Sequence, residues 1–236
     1  MASVEKTQAF VLHVRSYRNT SALVDFFTHT QGVMRMVVNG LQGQSKKQCH
    51  WKGVLQPFQH ISVSYRGKGG LKTLVDVNEQ TATQRTVLQG SYLYCGFYLN
   101  ELIQKSISQE SVDAHLFDVY KQCIGLLSNK HDMDVCLRFF EAQLLQVLGY
   151  GVDLIHDASG HLIDPDAYYD YRPSDGFCIA DVNDKRAILG VHLQALADND
   201  LTLEYTRKVA KYVFRRAIET HLNVVELESR RLFVGP

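Results

Sequence analysis

The stretch His60-Ile61-Ser62-Val63-Ser64-Tyr65-Arg66-Gly67-Lys68-Gly69-Gly70-Leu71-Lys72-Thr73-Leu74-Val75-Asp76-Val77 decides the fold. Ile61, Val63 and Tyr65 alternate with Ser62 and Ser64, the period of two expected of a strand with one wet face. Gly67-Lys68-Gly69-Gly70 makes a turn. A second strand follows, with Leu71, Thr73, Val75 and Val77 on one face. Upstream lie three apolar runs, residues 9–14, 21–28 and 33–38, punctuated by Gly32 and Asn39-Gly40. Five short strands in so little chain suit a small barrel, because closure removes the sheet edges, and the five-stranded Greek-key OB barrel is the expected form. Residues 41–53 are expected to form a polar loop centred on Ser45-Lys46-Lys47-Gln48.

From about residue 81 the period becomes helical, with Leu88, Tyr92, Cys95, Leu99 and Ile103 in one stripe. A second helix is expected over 111–127, with Ser111 or Asp113 near its cap, and a third over 134–148, with Asp132 or Asp134 as N-cap and Gly149 as a stop. Residues 150–186 read as irregular, with a short hairpin around 168–171 and 177–182. Helices are expected over 188–197 and 203–222. The fold class is α+β and multidomain. Residues 1–80 form the OB barrel and 81–150 a helical bundle; 151–236 are a small C-terminal region of irregular chain and helices.

The 236 residues are 45% hydrophobic and 21% charged, values that exclude disordered and collagen-like chains. No apolar run approaches the roughly 18 residues of a membrane span. The N-terminus lacks a secretory pattern, so a cytoplasmic protein is expected. Net charge is zero, but residues 1–75 hold ten basic and two acidic residues while the remainder holds 15 basic and 23 acidic, a split of +8 against −8. The basic part could meet a polyanion or could be a solvated barrel face. Five cysteines, with no C-x-x-C pair, suggest neither a disulfide framework nor a zinc site.

Enzyme signatures are missing: Gly67–Gly70 is not a phosphate-binding loop, and no G-x-S-x-G occurs. Three spaced carboxylate pairs, Asp132/Asp134, Asp164/Asp166 and Asp198/Asp200, read better as caps and turns than as metal or acid–base centres. Single-strand binding needs backbone charge with aromatic platforms. The candidates are Lys46, Lys47 and Lys52 around Trp51, then Arg66, Lys68 and Lys72 flanking the turn, and Arg35 in mid-strand. Trp51, the only tryptophan, is either a stacking surface or a hydrophobic anchor. Arg207, Lys208, Lys211 and Arg215 share one side of the last helix and form a possible second basic patch.

Ordered blocks of sequence then resemble a family. Phe10-Val11-Leu12, the run from Thr20 to Thr28, Val37-Val38-Asn39-Gly40, Leu55-Gln56-Pro57-Phe58, Tyr98-Leu99-Asn100-Glu101-Leu102, Arg138-Phe139-Phe140-Glu141 and Leu148-Gly149-Tyr150-Gly151 resemble the bacterial RecO family of DNA repair proteins. The resemblance implies a non-enzymatic recombination mediator without cofactors. Such a protein binds single- and double-stranded DNA and anneals strands coated by single-stranded DNA-binding protein (SSB). It also helps RecR load RecA, in the nucleoid-associated cytoplasm, with no membrane or small-molecule partner. The resemblance further implies capture of the SSB C-terminal tail by the helical region, with Arg138 as the candidate partner of its carboxylate. Many relatives carry four zinc-binding cysteines near the C-terminus; here only Cys178 lies near such a position, so no structural zinc is expected. Two rivals remain: an interaction scaffold whose barrel contacts protein, and a nucleic-acid enzyme using Asp164 and Asp166.

Overall fold

The computed structural model describes residues 4–78, 85–108, 113–224 and 226–233. The expected boundary at residues 80/81 and the candidate cap Ser111 lie outside them. The first elements are β1 (Glu5–Tyr17), β2 (Ser21–Thr28), β3 (Gly32–Val38), α1 (Lys46–Val54), β4 (His60–Arg66) and β5 (Leu71–Asn78). There follow α2 (Ser91–Ser106), α3 (Ala114–Ser128) and α4 (Met133–Val147). The chain continues through β6 (Tyr168–Arg172), β7 (Gly176–Ile179) and β8 (Ile188–Leu189). It closes with α5 (Gly190–Ala197), α6 (Glu204–His221) and α7 (Glu228–Arg231).

The five N-terminal strands close a barrel in the order β1-β2-β3-β5-β4, with β4 returning to β1. Only the β3–β5 contact is parallel. This is the Greek-key connection of an OB barrel, with α1 in the crossover from β3 to β4. Alternation places Met34, Met36 and Val38 of β3 inside, and Ile61, Val63 and Tyr65 of β4 meet them there. β1 and β2 read as unbroken apolar runs because both of their faces are covered. Val11 and Phe26 fill the barrel, while Phe10 and Phe27 pack outside it on Phe117 and Tyr120 of α3 at centroid distances of 4.9–5.8 Å. Each such buried aromatic contributes roughly 1.5–3 kcal/mol.

The segment expected to be a loop contains α1. A capping box starts it: Gln48 N–H donates to Ser45 Oγ (3.3 Å) and Ser45 N–H donates to Gln48 Oε1 (2.9 Å). With little amphipathic pattern in its nine residues, this helix owes its formation to the cap and to Trp51 and Val54, which plug the barrel.

The chain forms two compact units, Met1–His131 with Glu228–Pro236, and Asp132–Leu227. The division therefore falls before α4, whereas the sequence suggested breaks near 80 and 150. In the first unit, α2 approaches the barrel through Gly96, where a Cβ would come within 2.8 Å of the Phe58 ring and 2.6 Å of Leu88. A bulge at Leu12 interrupts the β1–β2 register between Val11 and His13. The Leu12 carbonyl accepts from Asn100 Nδ2 (2.8 Å), and Asn100 Oδ1 accepts from the Tyr120 hydroxyl (2.5 Å). Further along α2, the Glu101 carboxylate accepts from Glu228 N–H (3.0 Å), Ser229 N–H (2.9 Å) and Ser229 Oγ (2.6 Å), pinning α7.

In the second unit, α4 and α5 pack on α6, beside the antiparallel sheet β7-β6-β8. Asp132 caps α4 by accepting from Asp134 and Val135 N–H. The expected helix over 188–197 starts two residues late, because Ile188 and Leu189 pair with β6 instead. The irregular residues 150–167 are held by carboxylate turns. Asp153 accepts from Ile155 and His156 N–H, and Asp157 from Ser159 and His161 N–H. Burial pushes the Asp153 carboxyl up, but these bonds together with His156 hold it below its ordinary value.

Candidate nucleic-acid interface

Register sorts the predicted cations of the barrel into two groups. Arg35 pairs with Leu71 across the parallel β3–β5 contact, and Arg66 pairs with Thr73. The β4–β5 turn therefore brings Arg66, Lys68 and Lys72 to the strand beside Arg35. Lys46, Lys47 and Lys52 form a second group on α1, beyond the other end of β3. Among the described residues no carboxylate lies within ion-pair distance of Lys46, Lys47, Lys52, Arg66, Lys68 or Lys72. Lys52 Nζ donates to the Gly43 carbonyl (3.0 Å) and Lys72 Nζ to that of Gly67 (3.2 Å), bonds that leave their charge uncancelled.

Arg35 is different. Its Nε donates to Asp25 Oδ1 (2.6 Å) and its Nη2 to Asp25 Oδ2 (3.3 Å), so the guanidinium sits in a fork. The hydrogen bond to Asp25 raises the Arg35 pKa further. Half of the Arg35 side chain stays exposed, while the Asp25 side chain is 5% exposed.

Burial decides between the two roles left open for Trp51 and bears on the role expected of Arg138. Trp51 offers no stacking platform: it is 7% exposed and belongs to the barrel core, with Lys47 Nζ 4.5 Å from its ring centroid. A large ring beside lysines fits either role in sequence, and burying it is worth more to a small barrel than displaying it. Arg138 cannot meet an external carboxylate where it stands. It is 1% exposed, and its Nη2 donates to Glu141 Oε1 at 2.9 Å, one helical turn away. A guanidinium out of water needs an ionic partner, and the helix supplies its own.

Two of the four cations of the second basic patch are neutralised. Arg207 Nη1 pairs with Asp132 Oδ2 (2.8 Å) and its Nε donates to the Leu201 carbonyl (2.5 Å). Lys208 Nζ pairs with Glu204 Oε1 (2.8 Å), which raises the lysine pKa and lowers that of the glutamate. Lys211 is exposed and Arg215 half-buried. The carboxylate pairs act locally: Asp164 accepts from Asp166 N–H and Asp200 from Thr202 N–H, both turn bonds. Among the described residues no three His, Cys, Asp or Glu side chains converge as a metal site, and no helix is long and apolar enough to cross a membrane.

Sequence reasoning missed a cleft of about 690 Å³ in the first unit. The outer side of β1–β3 forms one wall, through Leu12, Val33 and Arg35, and α2 forms the other through Phe97 and Gln104, with α7 closing one end. Its only sequence signals were polar residues in otherwise apolar elements: Asp25 within the β2 run, and Asn100 and Gln104 within the helical stripe.

Comparison with known proteins agrees over nearly the whole chain. The family described as Recombination protein O N terminal matches residues 1–79, and Recombination protein O C terminal matches residues 88–231. The DNA repair protein RecO of Haemophilus influenzae (strain PittGG) is 39% identical over 230 residues, covering 97% of this chain and 95% of that protein. That of Actinobacillus succinogenes is 38% identical over 227 residues, 96% and 94% of the two chains. That of Idiomarina loihiensis is 36% identical over 230 residues, 97% of each. With an OB barrel matching the N-terminal family and the helical remainder matching the C-terminal one, the chain belongs to the RecO family of DNA repair proteins.

Proposed function

We propose that this protein is a recombination mediator that binds single- and double-stranded DNA through its barrel, anneals complementary SSB-coated strands, and assists RecR in loading RecA. The observation that carries the DNA-binding part is the concentration of cations on the barrel and α1 without carboxylate partners among the described residues, at Lys46, Lys47 and Lys52 on α1 and at Arg66, Lys68 and Lys72 around the β4–β5 turn. Such groups neutralise phosphates and release counterions. Two complementary strands held on one cationic surface repel each other less and meet at higher local concentration, so annealing on it requires no nucleotide hydrolysis and no catalytic side chain. Tail capture from SSB belongs to the helical part in this reading. Arg138 serves there as a buried strut of α4 rather than as the contact.

The test is anisotropy of a labelled single-stranded oligonucleotide, titrated with protein across a salt series. Steep weakening with salt, at a slope of about −0.7 per phosphate contact, is expected. Flat, weak binding would instead favour the scaffold reading, in which the barrel contacts protein.

A further inference from the structure

The cleft beside the barrel is lined by apolar side chains together with charged ones of both signs, the acids being Asp25, Glu101 and Glu228. Leu12 and Val33 of the barrel face Phe97 of α2, and Arg15 and Arg35 stand on the barrel side. Arg35 is not a loose surface side chain. Asp25 takes its Nε and one Nη2 proton, and Gln104 Nε2 donates to the same Asp25 Oδ2 at 3.3 Å, so a residue of α2 helps fix the carboxylate. That fork engages one edge of the guanidinium and leaves Nη1 for a second partner, with half of the side chain in solvent. The β1 bulge adds to the design. It inserts Leu12 without a partner in β2, turns His13 toward the cleft, and is itself held by Asn100. An arginine held by a carboxylate, which an amide fixes in turn, in a cleft that also offers apolar side chains suits a ligand that is anionic at one end and flat and apolar at the other.

We propose that the cleft takes one unstacked nucleotide of single-stranded DNA, its base between the barrel wall and α2 and its phosphate on Arg35, and that Asp25 is the positioning residue that aims Arg35. This rests on the DNA-binding reading above and makes an opposite forecast from charge counting. An acid on a DNA-binding face should weaken binding, so removing it should strengthen binding. Here its removal frees Arg35 to swing and binding falls.

The experiment measures oligonucleotide anisotropy for five full-length proteins: wild type, Asp25→Asn, Arg35→Ala, Arg35→Lys and the double variant Asp25→Asn with Arg35→Ala. Thermal unfolding of each checks that it folds. Arg35→Ala should bind about tenfold more weakly, with the salt slope shallower by about 0.7, one phosphate contact. Asp25→Asn should lose about three- to tenfold despite gaining net positive charge, and the double variant should be no weaker than Arg35→Ala alone. Arg35→Lys keeps the charge, sits on a half-exposed site that tolerates exchange, and should still lose affinity because lysine cannot form the fork. Equal or tighter binding by Asp25→Asn, or unchanged binding by Arg35→Lys, overturns the proposal while leaving barrel-mediated DNA binding intact. Loss of affinity of Arg35→Ala for a labelled acidic peptide, with DNA binding unchanged, makes the cleft a peptide site and also overturns it. Absence of DNA binding by the wild type removes the underlying reading itself.

Discussion

The barrel and the long helix α6 carry similar runs of Lys and Arg, and the two regions treat them in opposite ways. On the barrel, Arg66 and Lys68 face solvent, and Lys52 and Lys72 bond only to backbone carbonyls. On α6, Arg207 and Lys208 are tied to Asp132 and Glu204, and on α4 of the same unit Arg138 is wholly internal with Glu141. Positive residues thus mean a field in one region and a framework in the other. The difference lies in acids: residues 1–75 contain only Glu5 and Asp25, so most barrel cations have nothing to pair with. A cluster of cations in sequence becomes a polyanion site only where the neighbouring carboxylates run out.

The sharpest way to break this contrast is at Arg138. Arg138→Ala should destabilise the protein by about 3–5 kcal/mol, because it strands a buried carboxylate. Arg138→Met with Glu141→Leu should recover most of that loss, as read from urea unfolding midpoints. A mild effect of the single variant would place Arg138 among functional rather than structural cations.

Next comes charge reversal on the barrel. Arg66→Glu with Lys68→Glu and Lys72→Glu should cost on the order of a hundredfold in single-strand affinity and make the salt slope shallower by about two. Lys46→Glu with Lys47→Glu and Lys52→Glu should cost about tenfold, since Lys47 already sits over the Trp51 ring. Titration by anisotropy ranks the two groups, and the reverse order would move the DNA path to α1.

A smaller effect comes from pH, within the barrel unit itself. His60 stacks on Phe10 at 4.5 Å, and its Nε2 is buried. Burial above all, then Lys121 and His29, push its pKa below the ordinary 6.5, against an opposing pull from Asp118. The folded state therefore resists a proton that the unfolded chain accepts. The stability is complete above pH 6.5 and declines as pH falls from there toward the folded pKa. His60→Phe should flatten that part of the curve of melting temperature against pH. An identical slope in wild type and variant would assign it to another group.

The smallest effect should be on α6. Lys208→Ala should change DNA affinity by less than about twofold, because an exposed pair with Glu204 contributes little and already cancels the charge. A loss as large as that of the barrel variants would erase the contrast between the regions.

Among the barrel strands β4 and β5 were legible because a half-buried sheet writes a period of two, β1 and β2 because they are short apolar runs bounded by turns, and the caps at Asp113 and Asp132 because an N-terminal carboxylate has few other uses. α1 was not legible. Its residues are polar, and what makes it a helix is one capping box and the barrel end it closes, which is a tertiary fact. Trp51 was left open between two roles and Arg138 was expected to be accessible for a shared reason: residue type suggests what a side chain can do, while burial decides what it is free to do. The cleft was invisible because its walls come from segments far apart in the chain. The aim of Arg35 depends on Asp25 ten residues earlier and on Gln104, 79 residues from Asp25.

The carboxylate of Glu101 also bears on how the chain is made. Three of its acceptor bonds are to Glu228 and Ser229, which a ribosome adds only after the whole of Asp132–Leu227 has been synthesised. Until then the partly buried Glu101 anion keeps Lys105 of its own helix as a partner (3.1 Å), and α7 is not yet there to be pinned. Closure of the first unit is thereby tied to residues that follow the whole second unit in sequence: a chain halted before residue 228 would lack the three donors from Glu228 and Ser229 and the segment that closes one end of the cleft.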